Sequence, residues 1–176
     1  MNPFPLGLDS PGKRLSSTRD SRDPTRLMAI IAEHHLRGHA RYTPRDVTGD
    51  GVNETWCNLF VQDVSEAMSV MVPRQMRANQ LVQWLAQDAA PFDWECLSLE
   101  TQSDEDAAHV AQAMADQGQL ALAGWVNPAG PGHLAVVVPS LGEPGVWIAQ
   151  AGRTNFTRAP LAQGFGGRIV TFFGHP

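Results

Sequence analysis

The chain of 176 residues holds two cysteines, in different settings. Cys57 stands in Thr55-Trp56-Cys57-Asn58-Leu59-Phe60-Val61, where a polar loop gives way to an amphipathic run. A cysteine in the first turn of a helix meets unpaired backbone N–H groups and the positive end of the helix dipole. Both favour the thiolate, which is the nucleophilic form. The same N–H groups can stabilise the oxyanion that forms when a carbonyl is attacked. Cys96, in Trp94-Glu95-Cys96-Leu97-Ser98-Leu99, lies in an apolar, strand-like stretch that suits a packed thiol. Two other readings of Cys57 stay open: a buried small hydrophobe, or a disulfide partner of Cys96.

A nucleophile needs a base. Of six histidines, His133 is distinguished by its place in Pro131-Gly132-His133-Leu134-Ala135-Val136-Val137-Val138-Pro139, at the mouth of an apolar strand. A strand end holds a side chain rigidly, as a general base requires; a satisfied edge histidine would look the same. His34, His35 and His39 read as an exposed cluster at a helix end, and His109 and His175 as solvated. The stretch Pro139–Gly145 reads as a hairpin turn. A symmetric hairpin centred between Leu141 and Gly142 sets His133 opposite Gln150, close enough for the amide to accept a hydrogen bond from the imidazole. Nucleophile, base and orienter would then be Cys57, His133 and Gln150.

The elements that must position these groups are legible in outline. Asp23 and Pro24 read as N-cap and first position of a helix that carries Leu27, Ile30, Ile31 and His34 on one face and ends at Gly38. A second helix starts near Cys57, buries Phe60, Val64, Ala67, Met68 and Met71, and stops at Pro73. A third runs from about Met76 to Gln87. A fourth has Ser103 as N-cap with Asp106 three residues on, buries Ala107, Val110, Ala111 and Met114, and ends at Gly118. After it, Leu120–Val126, Leu134–Val138, Val146–Ala149 and Ile169–Phe173 are short apolar runs between Gly/Pro clusters, and read as strands. Helices first and strands later predict an α+β fold with an antiparallel sheet. Residues 1–23, rich in Pro, Ser, Gly, Arg and Asp, predict an extended or flexible tail, and residues 24–176 one catalytic domain.

Composition narrows the classes. Thirteen Lys+Arg against eighteen Asp+Glu give a net charge of −5, which argues against a protein that grips nucleic acid by its phosphates. No run is long and apolar enough to predict a membrane span. Two cysteines are too few for a disulfide scaffold. Asp46-Val47-Thr48-Gly49-Asp50-Gly51 imitates a calcium loop, but position three is Thr48 and position twelve is Cys57. A Gly/Asp turn shaping the entry to Cys57 is the preferred reading, with no metal or cofactor expected. Asn53 or Thr55 could turn a side chain toward the oxyanion, and Asn155 is a rival to Gln150 or a substrate contact.

Cys57-Asn58-x-Phe60-Val61 opening a helix, Gly132-His133-Leu134-Ala135-Val136-Val137 opening a strand, and a polar residue 17 positions after the histidine together resemble the NlpC/P60 and CHAP superfamily. Its members are papain-like cysteine peptidases and amidases that cut the peptide part of bacterial peptidoglycan. The resemblance spans roughly residues 40–173. It implies a papain-like fold, with Cys57 as nucleophile, His133 as base and Gln150 as the third residue. The N-terminus carries no stretch of signal-peptide character. With no wall-binding repeat either, the sequence looks closest to the amidase effectors injected into rival bacteria, including those of type VI secretion, or to phage lysins. That class implies secretion without a signal peptide, action in the periplasm or cell wall of a target, and an immunity protein in the producing cell. Two rival readings are a papain-like deamidase, transglutaminase or isopeptidase acting on proteins, and a non-catalytic binding module.

Overall fold

The computed structural model describes residues 8–10, 13–34 and 39–176. Among them are six α-helices: α1 Pro24–Glu33, α2 Cys57–Ala67, α3 Ala78–Gln87, α4 Leu97–Glu100, α5 Asp104–Asp116 and α6 Leu161–Phe165. The strands are β1 Leu8–Ser10, β2 Lys13–Arg14, β3 Glu95–Cys96, β4 Leu120–Trp125, β5 His133–Val138, β6 Trp147–Gln150, β7 Phe156–Pro160 and β8 Thr171–His175. The first two form their own small antiparallel ladder. The other six form one sheet in the order β3-β8-β4-β5-β6-β7, antiparallel at every pairing. The α+β expectation holds.

The sheet is covered on both faces, and strand alternation sorts the two cores. Leu120 and Leu122 of β4, Leu134, Val136 and Val138 of β5, and Phe173 of β8 join α1, α2 and α3 on one side. Ala121, Ala123, Ala135, Val137 and Phe172 join α4, α5 and Phe165 of α6 on the other. Burial on both faces is why these strands read as continuous apolar runs rather than alternating ones. The second face is built small so that α5 can come close. A methyl on Gly174 would lie 2.5 Å from the sulfur of Met114.

The helix caps form as expected. Asp23 accepts from the N–H of Arg26, and Ser103 from that of Asp106. Helix α2 ends at Ala67, before Pro73, through Ser69 in the left-handed region at φ 57°. Met71 therefore lies beyond the helix and is exposed, and Val110 on α5 is exposed as well. The end expected at Gly38 lies outside the described residues; α1 stops at Glu33 with His34 as its C-cap. Strands β3 and β7 of the sheet and helices α4 and α6 add to the predicted elements. Part of the expected tail is packed: Leu15 and Ser17 are buried, and the N–H of Ser17 donates to the carbonyl of Ala67 at 2.7 Å.

Two expected solvated histidines are buried. His34 is 4% exposed, and its Nδ1 lies 3.0 Å from the Tyr42 hydroxyl. That hydroxyl donates to Asp63 at 2.6 Å. Arg41 grips the same carboxylate through Nε at 2.7 Å and Nη2 at 3.2 Å, and Arg74 adds a second cation. Burial and Asp63 together push the Tyr42 phenol up. Desolvation opposes ionisation of Asp63, but its hydrogen bonds from Arg41, Tyr42 and Arg74 win and hold its carboxyl below the usual range. This network ties the turn Ala40–Tyr42 and the end of α1 to the middle of α2. His175 is buried against Trp94 and Arg22. His109 is exposed and His39 half-buried; His35 lies outside the described residues.

Candidate active site

Cys57 is the first residue of α2, with Trp56 at the N-cap. The Trp56 side chain makes no capping hydrogen bond, unlike Asp23 on α1 and Ser103 on α5. The first N–H groups of α2 are thereby left for the sulfur and for a ligand. Cys57 is 3% exposed, and both cysteines are free thiols. Burial pushes the Cys57 thiol up, while hydrogen bonds from the backbone N–H groups of Leu134, Asn58 and Cys57 pull it the other way. The net shift is upward, against the direction the helix dipole favours. Desolvation outweighs the dipole here. Cys96 is half-buried at the start of α4, with its thiol also raised by burial.

The Leu134 N–H, on the peptide that follows His133, lies close enough to the sulfur to favour its ionised form. His133 opens β5 and belongs by alternation to the opposite face, where its ring lies 4.9 Å from that of Phe165. Its Nε2 is 2.6 Å from Oε1 of Gln150. The far end of that amide fixes the protons. Nε2 of Gln150 donates to the carbonyl of Thr154 at 2.9 Å, and a carbonyl can only accept. The amide oxygen therefore faces the imidazole, so His133 Nε2 carries the hydrogen and Nδ1 holds the free lone pair. Burial lowers the His133 pKa most, the hydrogen bond to Gln150 raises it, and the charge of Arg168 lowers it; the net shift is downward. The neutral base form is favoured.

The hairpin register differs from the symmetric one by two residues. Val136 faces Ala149, and Val138 faces Trp147. Gln150 is thus a diagonal neighbour of His133 rather than the residue opposite. A slip of two preserves the face of the sheet, so the pair still forms. Two glycines make room for it. A methyl on Gly152 would lie 3.2 Å from His133 Cε1, and one on Gly164 of α6 would lie 2.4 Å from Gln150 Oε1.

Cys57, His133 and Gln150 line one cleft of about 990 Å³ at the end of the sheet, where the two helical layers meet. Asn53 and Thr55 line it as well, on the stretch leading into Cys57. Asn155 does not: it is buried, and its Nδ2 donates to the carbonyl of Tyr42 at 2.8 Å. Its expected role as third residue or substrate contact gives way to a structural one. The loop from Asp46 to Glu54 is a turn closed on itself. Asp46 accepts from the N–H groups of Thr48, Gly49 and Gly51, and these bonds, Gly51 first, hold its carboxyl below the usual range. No group of three potential metal ligands occurs among the described residues.

The sequence reading missed two supports. Asn79 on α3 donates to the carbonyls of Asn127 and Gly130, both at 2.9 Å, and accepts from the N–H of Asn127 at 2.9 Å. It fills the space beside Gly132, where a methyl would meet its Oδ1 at 2.1 Å. The loop that delivers His133 is therefore pinned from α3. Trp125, paired with His133 across β4 and β5, forms a wall of the cleft beneath Arg168, whose guanidinium lies 4.5 Å from its ring. Asn79 gave no signal in sequence because a lone amide on a helix has many uses. The chain matches no known family model and no curated protein. Among the described residues no helix is long and apolar enough to cross a membrane.

Proposed function

We propose that the chain is a papain-like cysteine amidase or endopeptidase that hydrolyses amide bonds in the peptide part of bacterial peptidoglycan. The observation that carries the chemistry is the meeting, in one cleft, of a first-turn cysteine and a histidine whose tautomer is fixed by an amide. The substrate rests on the resemblance to the NlpC/P60 and CHAP superfamily, and so does action at the wall of a target bacterium as an injected effector or lysin.

The steps follow from the resting protonation states. As the Cys57 sulfur attacks the amide carbonyl, His133 Nδ1 takes the thiol proton and a C–S bond forms. The N–H of Cys57, aided by Asn53 or Thr55 from the stretch that leads into it, stabilises the oxyanion. The imidazolium gives its proton to the leaving nitrogen, the C–N bond breaks, and a thioester remains. His133 then takes a proton from water, the hydroxide attacks the thioester, and the thiol regains its proton as the new carboxylate leaves. Gln150 holds the ring through both half-reactions without adding charge.

Mass analysis of purified peptidoglycan after digestion tests this reading. Wild type and Cys96→Ala release new peptide fragments, and Cys57→Ala releases none while melting at a similar temperature. Fragments from Cys57→Ala would overturn it. Cys57-dependent turnover of a protein amide, with no wall fragments, would move the substrate and leave the chemistry standing.

A further inference from the structure

We propose that Arg168 is a specificity-determining residue of this cleft, and that its guanidinium receives a substrate carboxylate beside the scissile amide. The proposal rests on the amide-hydrolase reading of the same site. Arg168 lies in the link between α6 and β8. Its Nη1 donates to the carbonyl of Phe165 at 2.8 Å, and its guanidinium lies over Trp125. Both supports border the base: Phe165 packs on the His133 ring, and Trp125 is the strand partner of His133. The cation is thus fixed next to the imidazole.

It is also unspent. A guanidinium offers five N–H donors in a planar fork that matches a carboxylate, and among the described residues no carboxylate pairs with this one. The acids of the cleft, Asp50 and Glu54, instead accept from the N–H groups of Val52 and Val47, each at 2.8 Å. Arg77 and Arg153 line the same cleft and are likewise without an ion pair among the described residues. Three such arginines against two acids leave the cleft positive by one charge in a chain of net charge −5, which favours an anionic ligand.

The position of Arg168 carries a chemical consequence. A cation beside a general base opposes the protonation that the base must undergo, and Arg168 is the charge that acts on His133. The Cys57 thiol, across the cleft, is pushed up by burial. A bound carboxylate cancels the guanidinium charge as the imidazole has to accept its proton. Arg168 therefore makes the base strongest when the right substrate is seated.

The test uses stem peptides whose glutamyl α-carboxyl is either free or amidated. In the Cys57→Ala protein, NMR of the His133 ring is followed against pH with each peptide. The free acid raises the His133 titration midpoint and binds about tenfold or more tighter than its amide twin, as expected for a charged hydrogen bond. Cys57→Ala/Arg168→Gln starts from a higher midpoint and shows neither effect, and Arg168→Lys recovers part of both. Equal binding of the twins, binding of neither, or a carboxylate preference that survives Arg168→Gln overturns the proposal. No turnover is needed, so a protein that discriminates the twins but cuts no wall fails the functional reading alone.

Discussion

Gln150 accepts from His133 and donates to Thr154, so its amide can stand only one way round. That single choice makes Nδ1 the basic nitrogen. Replacing Gln150 by Leu removes the constraint and should lower kcat by about 100-fold or more, with little change in KM; parallel steady-state kinetics check the split. Gln150→Glu should keep the contact and add a charge that favours imidazolium. The acid limb of the pH profile then moves upward, because more protons must leave before the base is free. The contrast between Gln150 and Asn155 shows what sequence can and cannot supply at this scale. The hairpin turn at Pro139–Gly145 placed Gln150 on the face of His133 even with the register two residues off. Nothing local distinguishes an amide aimed at a histidine from one aimed at the Tyr42 carbonyl, and only the fold separates them. His34 is a similar case. Its partners Tyr42 and Asp63 lie 8 and 29 positions on, so a helix-end histidine read alone looks solvated.

Helices α2 and α6 hold the site between them, and they were unequally legible. The starts of α1 and α5 follow from their cap residues, and that of α2 at Cys57, which has no side-chain cap, from the apolar stripe that begins after a polar loop. Helix α6 has five residues and a glycine, too little for periodicity, and β7 ends in Pro160 and buries residues irregularly. Yet α6 supplies Phe165 and the close approach at Gly164. Gly164→Val should therefore push α6 off Gln150 and reduce turnover severely. A near-native far-UV circular dichroism spectrum would separate this from unfolding. In α2 the buried network predicts a stability effect. Asp63→Ala leaves Arg41, Arg74 and Tyr42 facing each other and should cost about 3 kcal/mol, the low end for a broken buried pair, since both arginines are partly solvated. Urea unfolding measures it. The carboxyl of Asp63 is lowered in the folded state, so its contribution is present above the ordinary carboxylate range and fades as pH falls through the folded value.

At the scale of the molecule, a sheet covered on both faces leaves its ends open, and the site uses one of them. Cys57 comes from the first layer, Phe165 and Gly164 from the second, and His133 and Gln150 from the strands between. Four of the six sheet strands were visible as apolar runs. The second layer was foreshadowed by the fourth helix, but its place on the far face was not, because a small-residue stripe such as Ala107, Ala111 and Ala115 does not say which face it will meet. The burial of both reacting groups also sets the pH response. In the proposed mechanism the active pair is neutral thiol and neutral imidazole, the forms that burial favours. The acid limb of kcat/KM should lie below the ordinary imidazole value of 6.5, since burial lowers His133. The alkaline limb should lie above the ordinary thiol value of 9.0, since burial raises Cys57. Alkylation of the free protein by iodoacetamide should accelerate with pH through that upper range; a rate already level near pH 5 would instead reveal a resting thiolate.

The most direct test of the central claim is digestion of purified peptidoglycan in ¹⁸O-labelled water, with mass analysis of the released peptides. Wild type should create paired new ends, one carboxyl carrying a single ¹⁸O and one free amine, and Cys57→Ala should create none. Unlabelled ends, the same labelled fragments from Cys57→Ala, or no fragments from wild type would contradict it.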